Sequence, residues 1–203
     1  KGFRIYANAT TGESSIIASA GTWYHLAVVR SSGTTKLYVN GALGATVASD
    51  TTNYTGTYLG IGGYYSTSYL LNGYMADLRV VKGTAVYTGT FTPPTAPLAT
   101  SGAASAASYP STTNVNTSFA SSATSFLCSF TNAGIYDNAM IGNMETVGNA
   151  QISTSVVKYG SGSLYFDGNG DYLVFPADVN NNFAFRTGDF TIEFWVKPTI
   201  NYA

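Results

Sequence analysis

Apolar and polar positions alternate with a period of two along most of the chain. In WYHLAVVR (23–30), Trp23, His25, Ala27 and Val29 share one face, and Tyr24, Leu26, Val28 and Arg30 share the other. KLYVNG (36–41) predicts a second strand closing on Asn40-Gly41, a pair that accepts positive φ at little cost. TYLGIGG (57–63), GYMADLRVV (73–81) and a proline-rich exit, FTPPTAPL (91–98), follow. SLYFDGNGDYLVF (163–175) predicts a hairpin with its turn at Asn169-Gly170. DFTIEFWVKP (189–198) alternates cleanly: Ile192, Phe194 and Val196 point one way, and Thr191, Glu193, Trp195 and Lys197 the other. Pro198 ends that strand, since proline cannot donate to a ladder. No stretch has the period of a long amphipathic helix. Short strands and Gly-rich turns predict an all-β, antiparallel β-sandwich or jelly roll.

Composition divides this pattern in two. From Gly83 to Tyr136 no residue is charged, and residues 99–125 are rich in Ala, Ser and Thr with almost no large apolar side chains. Such a stretch cannot order itself in isolation. It reads as a linker or extended arm between a β segment at 1–98 and another at 126–203. The chain starts at Lys1 and ends at Ala203 in mid-pattern, which reads as an excerpt of a longer or processed protein.

Charge narrows the partners. Charged residues make up 9% of the chain, against about 25% in an average domain. The net charge is −1 and the basic residues are scattered, which argues against nucleic acid, whose phosphates need clustered Lys and Arg. No apolar run approaches the roughly 18 residues of a membrane span. Cys128 is the sole cysteine, so neither an intrachain disulfide nor a cysteine metal cluster can form. Its SFLCSF context reads as that of a small buried hydrophobe.

Four stretches together resemble the laminin-G-like, concanavalin-type jelly-roll family, particularly the versions in bacteriophage tail and virion proteins. They are GSLYFDGNGDYLVF, GDFTIEFWVKPT, GTWYHLAVVRSSGTTKLYVNG and NGYMADLRVVKGTAVYTGTFTPPTAPL. The resemblance implies the fold; it says little of function, because this fold hosts lectins, enzymes and structural modules. The order is inverted. Segment 1–98 resembles the C-terminal half of such a jelly roll and 126–203 the N-terminal half. Three arrangements fit: a window on a tandem array, a circular permutant closing one sandwich, or halves completed by neighbouring copies.

Candidate chemistry is sparse. His25 has no second histidine and no nearby cysteine, and reads as packed or hydrogen-bonded sheet framework. Asp189 and Glu193 share a strand face, and laminarinase-like glycosidases on the resembled fold carry a Glu–Asp–Glu set on such a face. Their four-residue separation spans about 13 Å at roughly 3.3 Å per residue, whereas a retaining glycosidase holds its carboxyls about 5–5.5 Å apart. A polar, partly exposed sheet face is the expectation, and no catalytic residue is assigned.

DGNGD (167–171) reads as a turn. The resembled jelly rolls carry a structural calcium in some members, for which Asp77, Asp137 and Asp167 are the candidate ligands; no other cofactor is expected. Tyr64, Tyr65 and Tyr69, in a Ser/Thr/Asn-bearing loop, suit stacking on sugar faces. The same tyrosines equally suit packing on a neighbouring subunit. Asn8, Asn53 and Asn116 lie in glycosylation sequons, which matter only in a host that glycosylates.

The expected function is a non-enzymatic structural or adhesion module of an extracellular or virion fibre-like assembly, partnered by copies of itself or adjacent repeats. A lectin-like module for cell-surface glycans is the alternative, and glycoside hydrolysis a distant one.

Overall fold

The computed structural model describes residues 1–56, 59–63, 69–131, 135, 137–139, 144–175 and 181–201. The strands are β1 (Gly2–Ala7), β2 (Thr10–Ile17), β3 (Tyr24–Ser31), β4 (Thr34–Val39), β5 (Ala42–Val47), β6 (Leu59–Ile61), β7 (Asn72–Lys82), β8 (Thr124–Cys128), β9 (Glu145–Val147), β10 (Gln151–Ser153), β11 (Ser163–Asp167), β12 (Tyr172–Phe175) and β13 (Phe190–Pro198). Among the described residues one short α-helix, α1 (Gly102–Ser105), is capped by Ser101, whose Oγ accepts from the Ala104 N–H. The fold is an antiparallel β-sandwich. Its main sheet runs β10-β11-β7-β13-β3-β4-β5, with β8 also paired to β7.

The predicted 23–41 hairpin forms. Both residues of its turn, Ser32 and Gly33, have positive φ, as do Asn40 and Gly41 between β4 and β5. These are the paired left-handed residues of two-residue hairpin turns, whose twist matches that of the strands.

The 163–175 stretch differs from expectation. β11 pairs with β7 and β10, whereas β12 pairs with β6 and β9 in a separate three-stranded sheet. DGNGD therefore carries the chain from one layer to the other. The reason is chemical. Gly168 and Gly170 both sit at φ 82° and redirect the backbone, and the buried Asp171 carboxylate accepts the N–H groups of Asp167 and Asn149. Within the five-residue arch the Asp171 carboxylate accepts the Asp167 N–H and the Asp167 carboxylate accepts the Asn169 N–H, without a ladder between its arms.

Strands from both predicted segments share the main sheet. β13 lies between β3 and β7, pairing Phe190–Val196 with Arg30–Tyr24 on one side and Phe190–Pro198 with Lys82–Gly73 on the other. The alternation read from the sequence assigns the faces correctly. Ile192, Phe194 and Val196 point inward, toward the β6-β12-β9 sheet and the β1–β2 hairpin. Ala27, Val29 and Val81 point outward.

The outward face is covered as well. Residues 83–125, which include the stretch read as a linker or arm, lie against it through Val86, Tyr87, Phe91, Leu98, Tyr109 and Phe119, all buried. Few in number, these side chains suffice because they pack both on the apolar sheet and on one another, Tyr87 stacking on Phe91 at 3.7 Å between ring centroids.

Candidate functional site

Burial of that outer face changes the chemistry of β13. Glu193, expected on a polar and partly exposed face, is fully buried beneath residues 83–125. The correction has a clear cause: a neutral, Tyr-bearing covering segment matches the strand's polar groups. Thr191 Oγ1 accepts the Val86 N–H and donates to the Thr84 carbonyl, stapling the start of the cover to the sheet.

Glu193 stands directly across the ladder from Arg79. Its Oε1 accepts from Arg79 Nε at 2.9 Å and Nη2 at 2.6 Å. Arg79 Nη1 donates to the Ala99 carbonyl at 2.9 Å and Ser105 Oγ at 2.7 Å, and Nη2 also donates to the Tyr109 hydroxyl at 3.1 Å. All five guanidinium N–H donors thus have partners, and the Phe119 ring lies 5.2 Å from the guanidinium carbon. Glu193 Oε2 accepts a short hydrogen bond from the Tyr87 hydroxyl, which also contacts the Tyr109 hydroxyl at 2.8 Å.

Burial alone would raise the Glu193 pKa. The Arg79 charge, with the His25 and Tyr87 contacts, outweighs it and holds the carboxyl at about 2. Burial and the carboxylate push the Tyr87 and Tyr109 hydroxyls well above their ordinary range. The result is a fixed carboxylate, a fixed guanidinium and two phenols that stay protonated.

His25 sits in the same layer and is fully buried. Its Nε2 lies 3.4 Å from Glu193 Oε2 without hydrogen-bond alignment, and Nδ1 has no partner. Edge-on contacts with Tyr87, Phe91 and Trp195 hold the ring, the last at 5.2 Å between centroids. Asp189, at the strand's start, accepts the Ser32 N–H instead of pairing with Glu193.

The three candidate calcium ligands lie in different places. Asp77 occupies the bulge of β7 opposite Glu193–Trp195, at φ 53°, and its Oδ2 accepts the Leu98 N–H at 2.9 Å. Its buried Oδ1 has no partner. Burial, then the nearby Glu193 charge, raise its pKa to about 7. Asp137 Oδ1 accepts the Leu127 and Ala139 N–H groups at 3.0 and 2.9 Å. Asp167 folds onto its own turn, accepting the Asn169 N–H at 2.7 Å. Each carboxylate thus accepts from backbone N–H groups in a different part of the fold, and no cluster of three metal-ligating side chains occurs among the described residues.

Of the loop tyrosines, Tyr64 and Tyr65 lie outside the described residues; Tyr69 is 90% exposed at φ 59°. Among the sequons, Asn53 is exposed. The Asn8 amide donates to the Ser49 carbonyl, and Asn116 Oδ1 accepts the Ser118 N–H. Cys128 is buried, as its context implied.

Residues 2–86 match the family model described as the concanavalin A-like lectin/glucanases superfamily. No curated protein and no solved structure matches the chain. The stretch matching the superfamily runs from β1 through β7 and reaches Val86. It therefore supplies His25, Asp77 and Arg79, while Glu193 and Tyr109 come from the rest of the chain. Sequence reasoning missed Arg79, Tyr87 and Tyr109. The one available signal was opposite charge at matching outward positions of ADLRVV and FTIEFW; nothing local placed the two tyrosines over them.

Proposed function

We propose that this chain is a non-enzymatic structural and adhesion module of an extracellular or virion fibre-like assembly, associating with copies of itself or with adjacent repeats. The observation that carries this reading is the use made of Glu193. It is enclosed, ionised and bound to a guanidinium whose every donor is satisfied, so it holds the cover to the sheet. A carboxyl in that state cannot approach a glycosidic bond or deliver a proton to one, since a glycosidase acid needs a raised pKa and contact with its sugar. The low charge and dense β content suit packing between copies.

One observation favours a second reading, a carbohydrate-binding module: Tyr69 stands 90% exposed in a stretch of sequence rich in Tyr, as a sugar-stacking ring does. Sedimentation velocity, a glycan array and a reducing-sugar assay separate the readings. Assembly without saturable glycan retention or sugar release is expected. Retention weakened by Tyr69→Ala would establish the second reading, and sugar release would refute both.

A further inference from the structure

Asn-Gly occurs at three places in the chain, Asn40-Gly41, Asn72-Gly73 and Asn169-Gly170. The pair has a chemistry of its own. The glycine nitrogen can attack the asparagine side-chain carbonyl carbon and close a five-membered succinimide, since glycine has no Cβ to obstruct the approach. The fold decides whether it does. The side-chain amide must be free to turn, the glycine N–H must lie outside a hydrogen-bonded ladder, and the backbone must have room to rotate.

Two of the sites are restrained. Asn40 Oδ1 accepts the His25 N–H at 2.9 Å, and the Asn40 N–H donates to the His25 carbonyl at 2.8 Å. Gly41 is buried against the Phe91 carbonyl, which leaves that turn no room to rotate. Asn72 Oδ1 accepts from the Thr199 hydroxyl, and its main-chain carbonyl accepts the Thr199 N–H at 3.0 Å. Gly73 is buried in register with Phe166 of β11 and Pro198 of β13, so ring closure there would pull β7 from the main sheet. Asn169 differs on every count. It is exposed, and its side-chain amide makes no hydrogen bond among the described residues; only its N–H is engaged, donating to Asp167 Oδ1 at 2.7 Å. Gly170, at φ 82°, lies outside the ladders of β11 and β12, and a Cβ on it would meet no atom within 4 Å.

We infer that Asn169 is a site of spontaneous deamidation, and that its product loosens the arch joining the two layers of the sandwich. The Gly170 nitrogen bonds to Asn169 Cγ, the Cγ–Nδ2 bond breaks, and the amide leaves as ammonia with the proton from the Gly170 nitrogen. Water then opens the ring. Attack at Cγ gives aspartate. Attack at the main-chain carbonyl carbon gives isoaspartate, with the chain now routed through Cβ and Cγ. Water is the sole co-reactant, and nothing is oxidised or reduced. Either product adds a carboxylate two residues from Asp167 and two from Asp171, and like charges so placed repel. Isoaspartate also lengthens the main chain by one carbon inside the arch. The Asp171 carboxylate spans that stretch, accepting the Asp167 N–H at 2.9 Å as well as the Asn149 N–H at 2.8 Å. Since β11 and β12 belong to different sheets, the arch is where such a change reaches both.

The test is peptide mapping of the full chain by mass spectrometry during incubation at mildly alkaline pH, folded and in denaturant. Asn169→Gln, whose longer side chain cannot form the five-membered ring, is the control. Folded wild type should lose the amide at Asn169 about tenfold faster than at Asn40 or Asn72, a factor equivalent to one hydrogen bond broken before reaction. In denaturant the three rates should converge. Hydrogen exchange on the converted protein should show β11 and β12 amides losing protection, while Asn169→Gln keeps it through the same incubation. Equal rates at the three sites of the folded chain, or loss led by Asn40 or Asn72, would overturn the site. Conversion at Asn169 with β11 and β12 protection unchanged would overturn the loosening of the arch.

Discussion

Replacing Glu193 by Gln keeps the shape of the side chain and removes its charge. The Arg79 guanidinium is then left buried and uncompensated, because its other partners, Ala99, Ser105 and Tyr109, are neutral. Breaking one side of a buried pair costs about 3–5 kcal/mol. The pKa points the same way, since the carboxyl is held at about 2 rather than its ordinary 4.5. The sign follows from the lowered value: this stability is present above pH 4.5 and is lost as pH falls toward 2.

Urea unfolding followed by tryptophan fluorescence reads both effects, since Trp195 lies in the same layer. At pH 7, Glu193→Gln should lose about 3–5 kcal/mol, or about 6–20 °C in Tm at about 2–4 °C per kcal/mol for a chain of this size. Adding Arg79→Met should return part of that loss, because no buried charge then lacks a partner. Below pH 4.5 the gap between wild type and Glu193→Gln should narrow. A loss under about 1 kcal/mol at pH 7, or a gap unchanged by acid, would refute the assignment of Glu193 as half of a buried ion pair.

Asp77 gives the opposite pH dependence. A carboxyl raised from 3.8 to about 7 favours folding while protonated; that contribution falls away as pH rises from 4 to 7 and amounts to on the order of 4 kcal/mol. Asn tolerates left-handed backbone, so Asp77→Asn should flatten the unfolding free energy between pH 5 and 8 and stabilise the protein at pH 8; a slope like that of wild type sinks the claim. Gly41→Ala should cost about 2 kcal/mol or more, because Gly41 sits at φ 79° and a Cβ there would meet the Phe91 carbonyl oxygen at 1.9 Å; denaturant midpoints check it, and a neutral result would contradict the tight β4–β5 turn. Because Asp77, Asp137 and Asp167 serve separate backbone groups, EDTA should leave Tm unchanged; a clear drop would restore a structural cation.

Strands β3, β4, β7 and β13 were legible because alternation is a local signal, whereas β1, β2, β5, β9 and β10 were not read from it. WYHLAVVR and FTIEFWVKP carry their faces in their own spacing, and Ser32-Gly33 and Asn40-Gly41 carry their turns. The sheet assignment of SLYFDGNGDYLVF was not legible: Asn-Gly between two apolar runs signals a hairpin, and only Asp171's bonds to Asp167 and Asn149 turn the connection into an arch. The buried site was half legible. Glu193 and His25 were each assigned a face of their own strand, but the reading of the Glu193 face as exposed assumed that a segment poor in large apolar side chains could not cover it. Tyr87, Tyr109 and Phe119 lie far from Glu193 in sequence, and their placement follows from topology that no local pattern records.

The central claim is that the polar face of β13 is sealed framework. His25 tests it most directly, as the sole histidine of the chain and fully buried on that face. Diethylpyrocarbonate labelling read by mass spectrometry should leave His25 unmodified in the folded protein and modify it fully in denaturant. Labelling of the folded protein at the rate of a free histidine would mean that the face is open and that the account is wrong.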